Sequence, residues 1–305
     1  MFGTDFYNSL KSFNKEDMSA KDIYDYLDKR IIKQKEAKKA AALIMWKCLK
    51  GIKENAMFCG PTGCGKTEIW RCLSNLFPDR IHIADASSIT KEGFKGDTKW
   101  KDLLKNRIFK EGEKNTILVL DEIDKLISPQ FTSCGENVSE SIMNEGLKLI
   151  EGTVTDGIDT RKISFVMLGA FSRKAGEIAE KSKSSGMGFD AVRKEAVAYE
   201  KSLTITDIIS FGATPEFMGR VGRIVNLSPM SKEDYENIFY DDDYSPLKKF
   251  ENLYNIRIYI SSENRERIIE NAVTSGLGIR GISNEISNLV DDRLFEDPER
   301  ECILI

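Results

Sequence analysis

The sequence predicts an α/β fold: a parallel sheet flanked by helices, followed by a smaller, mainly helical domain. Three observations predict it. Ala56–Cys59, Ile81–Ala84, Ile117–Leu120 and Ile163–Leu168 are short apolar runs with turn residues nearby, and they lack polar alternation, as parallel strands covered on both faces do. Helical patterns lie between them at Lys66–Leu76, Lys99–Phe109 and Ser139–Ile150, and strand–helix alternation implies a parallel sheet. The pattern then changes at Asn226-Leu-Ser-Pro-Met-Ser231. Beyond it the chain reads as helices at about 232–253, 262–274 and 279–295, with short apolar runs at Arg257–Ile260 and Cys302–Ile305. The expected division is an N-terminal extension (1–18), a large domain (19–228) and a small domain (229–305).

Taken in order, residues 1–16 are polar with scattered aromatics and are expected to be ordered only in part. Ser19 and Asp22 have the spacing of a capping box, and Ile23, Tyr26 and Leu27 fall on one face of the helix that follows. A second helix from about Gln34 to Leu49 ends at Gly51. The sheet-forming elements come next, with Glu180–Ser185 read as a loop. Ser231 and Asp234 mark a helix start after the break at Pro229. No internal repeat is visible.

Of the 305 residues, 41% are hydrophobic and 31% charged, a soluble globular composition with enough apolar residues for a core. The net charge of −4 supplies no global basic field for nucleic acid or acidic lipid, though local basic patches remain open. Ala40–Trp46 is far short of a membrane span, and residues 1–30 hold no signal-peptide core. Six cysteines without CxxC spacing suit reduced thiols, so the expected location is cytoplasmic. The single histidine, His82, sits in a strand-like run; it excludes sites needing two imidazoles and reads as structural.

Gly60-Pro61-Thr62-Gly63-Cys64-Gly65-Lys66-Thr67 satisfies G-x-x-x-x-G-K-[ST] between a strand and a helix. The glycines let successive N–H groups face phosphates, and the helix N-terminus adds partial positive charge. Lys66 is then expected to reach the β- and γ-phosphates of ATP and the Thr67 hydroxyl to ligand Mg²⁺; Glu68, next on the helix, is counted with the nucleotide contacts. Ile117-Leu-Val-Leu-Asp121-Glu122 delivers two carboxylates at a strand's C-terminal end, where open α/β sheets bind ligands. Asp121 is expected to hold the magnesium through water and Glu122 to polarise the attacking water. Cys64 stands at a helix N-terminus, a position that lowers a thiol pKa. Two readings stay open for it: a reactive thiol whose alkylation blocks nucleotide binding, or a tolerated small residue.

With these residues in place, the sequence resembles the AAA+ ATPases of the Clp type, and within them the ClpX unfoldases, over about residues 20–305. Leu120-Asp-Glu-Ile-Asp-Lys125, Leu147-Lys-Leu-Ile-Glu-Gly-Thr153, Pro215-Glu-Phe-Met-Gly-Arg220 and Gly278-Ile-Arg280-Gly carry the resemblance, in family order. It implies ATP hydrolysis in a homo-hexamer. Arg220 becomes an arginine finger reaching the neighbouring subunit, and Arg280 a contact to the nucleotide in cis. Ile31-Ile32-Lys-Gln34 resembles the segment that flanks adenine. Glu92-Gly-Phe94-Lys95-Gly96 falls at the pore loop that grips polypeptide, with a core phenylalanine as the other reading of Phe94. Residues 128–138 would be a second pore-facing loop. Met187-Gly188-Phe189 resembles the loop that docks a ClpP-type peptidase, with Met in place of the usual Ile; a tip folded onto its own domain is the alternative.

The departures are also legible. The family's amino-terminal zinc domain has no counterpart in this sequence, and Thr153–Lys162 is short where a basic pore-entrance loop belongs. Val166-Met-Leu-Gly-Ala170 offers no polar side chain where most AAA+ proteins place a γ-phosphate sensor. The leading expectation is an ATP-driven unfoldase or remodeller acting on polypeptides. The alternatives are an AAA+ switch on nucleic acid or on one dedicated protein complex, and a nucleotide-binding scaffold with little turnover. No membrane partner is expected, and nucleic acid is disfavoured because no basic or helix-turn-helix module is appended.

Overall fold

The computed structural model describes residues 15–91, 98–107, 114–155, 158–172, 202–241, 245–298 and 300–305. Two helices lead, α1 (Ala20–Asp28) and α2 (Lys35–Leu49). The capping box forms as the spacing predicts: the Asp22 N–H donates to Ser19 Oγ at 3.2 Å and the Ser19 N–H to Asp22 Oδ2 at 2.9 Å. Ile23, Tyr26 and Leu27 are buried, on the predicted face. The alternating region follows as β1 (Ala56–Cys59), α3 (Lys66–Leu76), β2 (Ile81–Asp85), α4 (Trp100–Arg107), β3 (Thr116–Asp121), α5 (Ile123–Ile127) and α6 (Val138–Glu151). A small hairpin, β4 (Val154–Thr155) and β5 (Ile158–Asp159), leads into β6 (Ile163–Gly169). After α7 (Ile205–Phe211) and α8 (Pro215–Val221), β7 (Arg223–Asn226) completes the sheet.

Among the described residues, the sheet has five parallel strands in the order β2-β3-β6-β1-β7. Both faces are covered, which explains the unbroken apolar runs. In β3, Leu118 and Leu120 enter the core on one face while Ile117 and Val119 enter the core on the other. β1 and β6 divide the same way, Met57 and Phe165 against Phe58 and Val166. Phe58 meets Trp70 of α3 edge-on at 5.4 Å, the arrangement aromatic quadrupoles favour.

β7 was not among the predicted strands. Arg223 and Asn226 bracket only two apolar residues, and an edge strand keeps one side open to polar groups. Asn226 is fixed by accepting from the Leu203 N–H at 2.9 Å and donating to the Leu203 carbonyl at 3.0 Å.

A third core belongs to the small unit. It comprises α9 (Lys232–Phe239), α10 (Pro246–Tyr254), β8 (Arg257–Tyr259), α11 (Ser262–Ser275), α12 (Ile279–Glu296) and β9 (Cys302–Leu304). Tyr235, Phe250, Ile268, Ile282, Ile286 and Ile303 meet inside it. The single helix expected at 232–253 is two. Pro246 has no N–H to continue a helix and instead starts one, capped by Ser245 Oγ, which accepts from the Leu247 N–H at 3.2 Å. The two terminal apolar runs pair as parallel strands, with Ile258 opposite Ile303. Among the described residues, no helix is long and apolar enough to cross a membrane.

Candidate nucleotide site

The site lies at the C-terminal end of the sheet. Gly63 and Gly65 hold φ of 75° and 96°, left-handed values that need glycine, and they turn the chain from β1 into α3. Gly65 caps α3 without a side-chain hydrogen bond, so the first N–H groups of that helix remain available to an anion. Lys66 is buried and folded back on its own loop. Its Nζ donates to the Gly60 carbonyl at 2.5 Å and the Pro61 carbonyl at 2.8 Å.

Thr67 Oγ1 donates to Asp121 Oδ2 at 2.8 Å, and Asp121 Oδ1 accepts from the Glu122 N–H at 3.0 Å. Glu122 has φ of 58°, a conformation that costs energy in a non-glycine residue and is tolerated where the surroundings enforce it. Its carboxylate pairs with Lys125, and that hydrogen bond raises the pKa of the lysine. No cluster of three or more His, Cys, Asp or Glu that could hold a metal occurs among the described residues. A divalent ion here would have the Thr67 hydroxyl and Asp121 carboxylate as protein donors, a hard-oxygen pair that fits Mg²⁺.

These groups face one cleft of about 1220 Å³ between the large and small units. Thr62–Glu68, Asp121 and Glu122 line it from the large unit, Ile31 and Ile32 from the segment before α2, and Met230, Ile238, Ile279 and Arg280 from the linker and small unit. The cleft thus brings together most of the predicted nucleotide residues, Ile32 and Arg280 included. Gly60 and Pro61 contribute through their hold on Lys66. The units touch at the loop itself: a Cβ on Gly278 would lie 3.0 Å from Gly63 Cα.

Arg220 stands elsewhere. It ends α8 at the N-terminal side of β7, away from the cleft, and its guanidinium meets Glu151 at 3.2 Å and the Glu216 carbonyl at 2.9 Å. The Asn55 amide holds its backbone, donating to the Arg220 carbonyl at 3.0 Å and the Ile150 carbonyl at 3.1 Å.

The expectation of a reactive Cys64 is overturned. The thiol is 3% exposed, and burial raises its pKa above the ordinary thiol value despite the neighbouring Lys66 charge. The helix-terminus effect is outweighed by desolvation. The run Val166–Ala170 carries no polar side chain, and Ser172, two residues beyond it, lines the cleft together with Gly169 and Ala170. Gln34, which the sequence offers only as the end of the segment resembling the adenine-flanking one and as a helix start, holds a left-handed backbone that no pattern announces. Of the second expected pore-facing loop, the structure describes a bridge between Phe131 and Asn137, with Phe131 67% exposed. Phe94, Lys95, Gly96, Met187, Gly188 and Phe189 lie outside the described residues.

Residues 52–224 match the family described as AAA domain (Cdc48 subfamily), more than half of the chain. The chain is 28% identical to the ATP-dependent Clp protease ATP-binding subunit ClpX of Borrelia duttonii (strain Ly) over 328 aligned positions, covering 93% of this chain and 75% of that protein. The ClpX of Borrelia recurrentis (strain A1) gives the same figures. The ClpX of Treponema denticola is 29% identical over 321 positions, covering 91% of this chain and 77% of that protein. With a five-stranded parallel sheet, a Gly-Lys-Thr loop and an Asp-Glu strand end in one cleft, the chain belongs to the AAA domain family, Cdc48 subfamily, and is an ATPase of the Clp type.

Proposed function

We propose that this ATPase is a protein unfoldase or remodeller that threads polypeptide through the pore of a homo-hexamer, and that a ClpP-type peptidase is its partner. The observation that carries the reading is the shared cleft: Lys66, Thr67, Asp121 and Glu122 from one unit and Arg280 from the other face the same space. A nucleotide bound there touches both units, so its hydrolysis can change the angle between them, a hinge-type device. The similarity to ClpX subunits supports polypeptide as the cargo and a peptidase as the partner.

The roles follow from chemistry. The N–H groups opening α3 cradle the phosphates, and Lys66 exchanges the Gly60 and Pro61 carbonyls for phosphate oxygens. Thr67 and Asp121 are the residues that would hold Mg²⁺, which when bound offsets charge on the β- and γ-phosphates. Glu122 orients and polarises the attacking water. Ile32 flanks the base, Gly60–Glu68 enclose the phosphates, and Arg280 reads the nucleotide from the small unit. Arg220 cannot serve its own cleft from its position beside Glu151, which supports action on a neighbouring subunit and therefore a ring. Such fingers contribute about 10³–10⁵ in rate, or roughly 4–7 kcal/mol. Phe94, with Lys95 and Gly96, grips the moving chain, Met187-Gly188-Phe189 docks the peptidase, and the large unit (19–228) and small unit (229–305) move as two bodies.

The test is a trap. Glu122→Gln binds ATP without hydrolysing it and should retain its substrates. Varied proteins and a peptidase ring co-purifying with ATP, lost on adding Phe94→Ala, support the proposal. One defined partner or a nucleic-acid complex instead means a dedicated remodeller or switch.

A further inference from the structure

Gln34 and the residue before it hold an unusual backbone. Lys33 and Gln34 have φ of 61° and 53°, two consecutive left-handed residues, neither of them glycine. Such a conformation persists only where surrounding contacts enforce it. Here those contacts are made by the two side chains. Gln34 is 5% exposed, and every hydrogen bond of its amide goes to one of two places. Its Nε2 donates to the Cys64 carbonyl at 3.2 Å, inside the phosphate loop, and to the Ser228 carbonyl at 2.7 Å, in the linker between the units. Its Oε1 accepts from the Ser228 N–H at 3.0 Å, and its Nε2 also reaches Met230 Sδ at 3.9 Å, farther along the same linker. Lys33 Nζ extends the grip along the linker, to the Pro229 carbonyl at 2.8 Å and to Asp234 Oδ2 at 2.7 Å, in the first turn of α9. The other side of the linker is tied to the sheet, the Leu227 N–H donating to the Cys59 carbonyl at 2.7 Å.

One NH₂ group therefore bonds both to the loop that receives phosphate and to the segment about which the small unit turns. We propose that Gln34 is a positioning residue that couples the occupancy of the phosphate loop to the linker, and so to the orientation of the small unit. The inference rests on the reading that nucleotide occupies this loop. For phosphate to bind, Lys66 must release the Gly60 and Pro61 carbonyls. The loop peptides around Cys64 then rearrange, and the amide that bonds Cys64 carries the change to Ser228. A residue that merely filled space would need none of these hydrogen bonds; a buried amide with all of them made fixes the relative placement of loop and linker.

The test uses the full chain and its own cysteines. Cys134 in the large unit and Cys302 in the small unit are exposed, and the other four are buried. Spin labels on these two, with labelled chains diluted into unlabelled ones, report the distance between the units with and without a non-hydrolysable ATP analogue and magnesium. The parent should show a shift on analogue binding. Gln34→Glu, which keeps length and acceptor but loses the donor, should lose most of the shift when measured at analogue concentrations that saturate its own binding. Gln34→Met, which removes both polar ends, should do the same and serves if the carboxylate prevents folding. A variant that shifts as much as the parent overturns the coupling, and so does a parent that binds the analogue without any shift. A parent that does not bind the analogue overturns the nucleotide reading itself. Deuterium exchange in the unmutated chain gives a separate reading: protection of the Ser228 amide should change on analogue binding, and unchanged protection contradicts the proposal.

Discussion

The Thr67 hydroxyl donates a 2.8 Å hydrogen bond to the Asp121 carboxylate, joining the start of α3 to the end of β3. The two oxygens stand where a hard cation can take both. Thr67→Val keeps the shape and removes one donor. Nucleotide affinity measured with magnesium should fall about tenfold or more, and affinity measured with chelator should change little. An equal loss under both conditions would place the defect in folding rather than in metal binding.

Glu122→Gln should leave nucleotide affinity near that of the parent and lower turnover by about 10²–10⁴. The pair with Lys125 lies on the surface side of this carboxylate, so Lys125→Ala should alter turnover far less. Steady-state ATPase assays on both variants check the contrast. A Lys125→Ala defect as deep as that of Glu122→Gln would mean that the ion pair, not the water-activating carboxylate, governs the rate.

Arg220→Ala should bind ATP and fail to turn it over. Mixed with Glu122→Gln chains, it should recover part of the activity, because in some interfaces an intact Glu122 meets an intact Arg220. Two inactive preparations that stay inactive on mixing, while forming mixed rings, contradict action between subunits. Removing Glu151, which holds the guanidinium at 3.2 Å, tests the resting contact and should change the rate only modestly.

Lys53 lies at the opposite end of the sheet, its Nζ donating to the Thr160 carbonyl at 3.0 Å and facing the Phe165 ring. Burial lowers its pKa from 10.5 to about 8. The unfolded chain therefore binds more protons between pH 8 and 10.5, and stability rises with pH across that window. Below pH 8 the penalty for holding the charge is complete. The melting temperature of Lys53→Met relative to the parent should accordingly fall as pH is raised from 7 to 10. A difference independent of pH would contradict the buried-charge account.

Gly278 carries φ of 60° and approaches Gly63, so it has both a backbone and a packing reason to be glycine. Gly278→Val should spread the units and weaken nucleotide binding without unfolding either core. Intact melting with lost binding is the expected pair of results; unchanged binding would show that the contact at the loop is dispensable.

Much of this was legible from residues alone. The buried strands declare themselves because both faces are covered, and the phosphate loop and Asp121-Glu122 because their chemistry requires fixed residue types. The capping boxes at Ser19 and Ser231 are equally local. What escaped depends on distance in sequence. β7 is too short and too polar to stand out, yet it completes the sheet beside β1. Pro246 was visible, but the helical pattern was read through it. The pKa of Cys64 follows from burial by segments far along the chain, and so reverses the expectation drawn from its position at a helix start. Gln34 looked like the opening of a helix; only the fold brings Ser228 and Cys64 to its amide.

The most direct test of the central claim is the fate of a stably folded fluorescent protein carrying an unstructured tail. Incubated with this chain and ATP, it should lose its native signal. The signal should persist without ATP, with Glu122→Gln, and with Phe94→Ala, which still hydrolyses ATP. Brisk ATP turnover by the parent with the folded protein left intact, for every tail tried, would contradict an unfoldase.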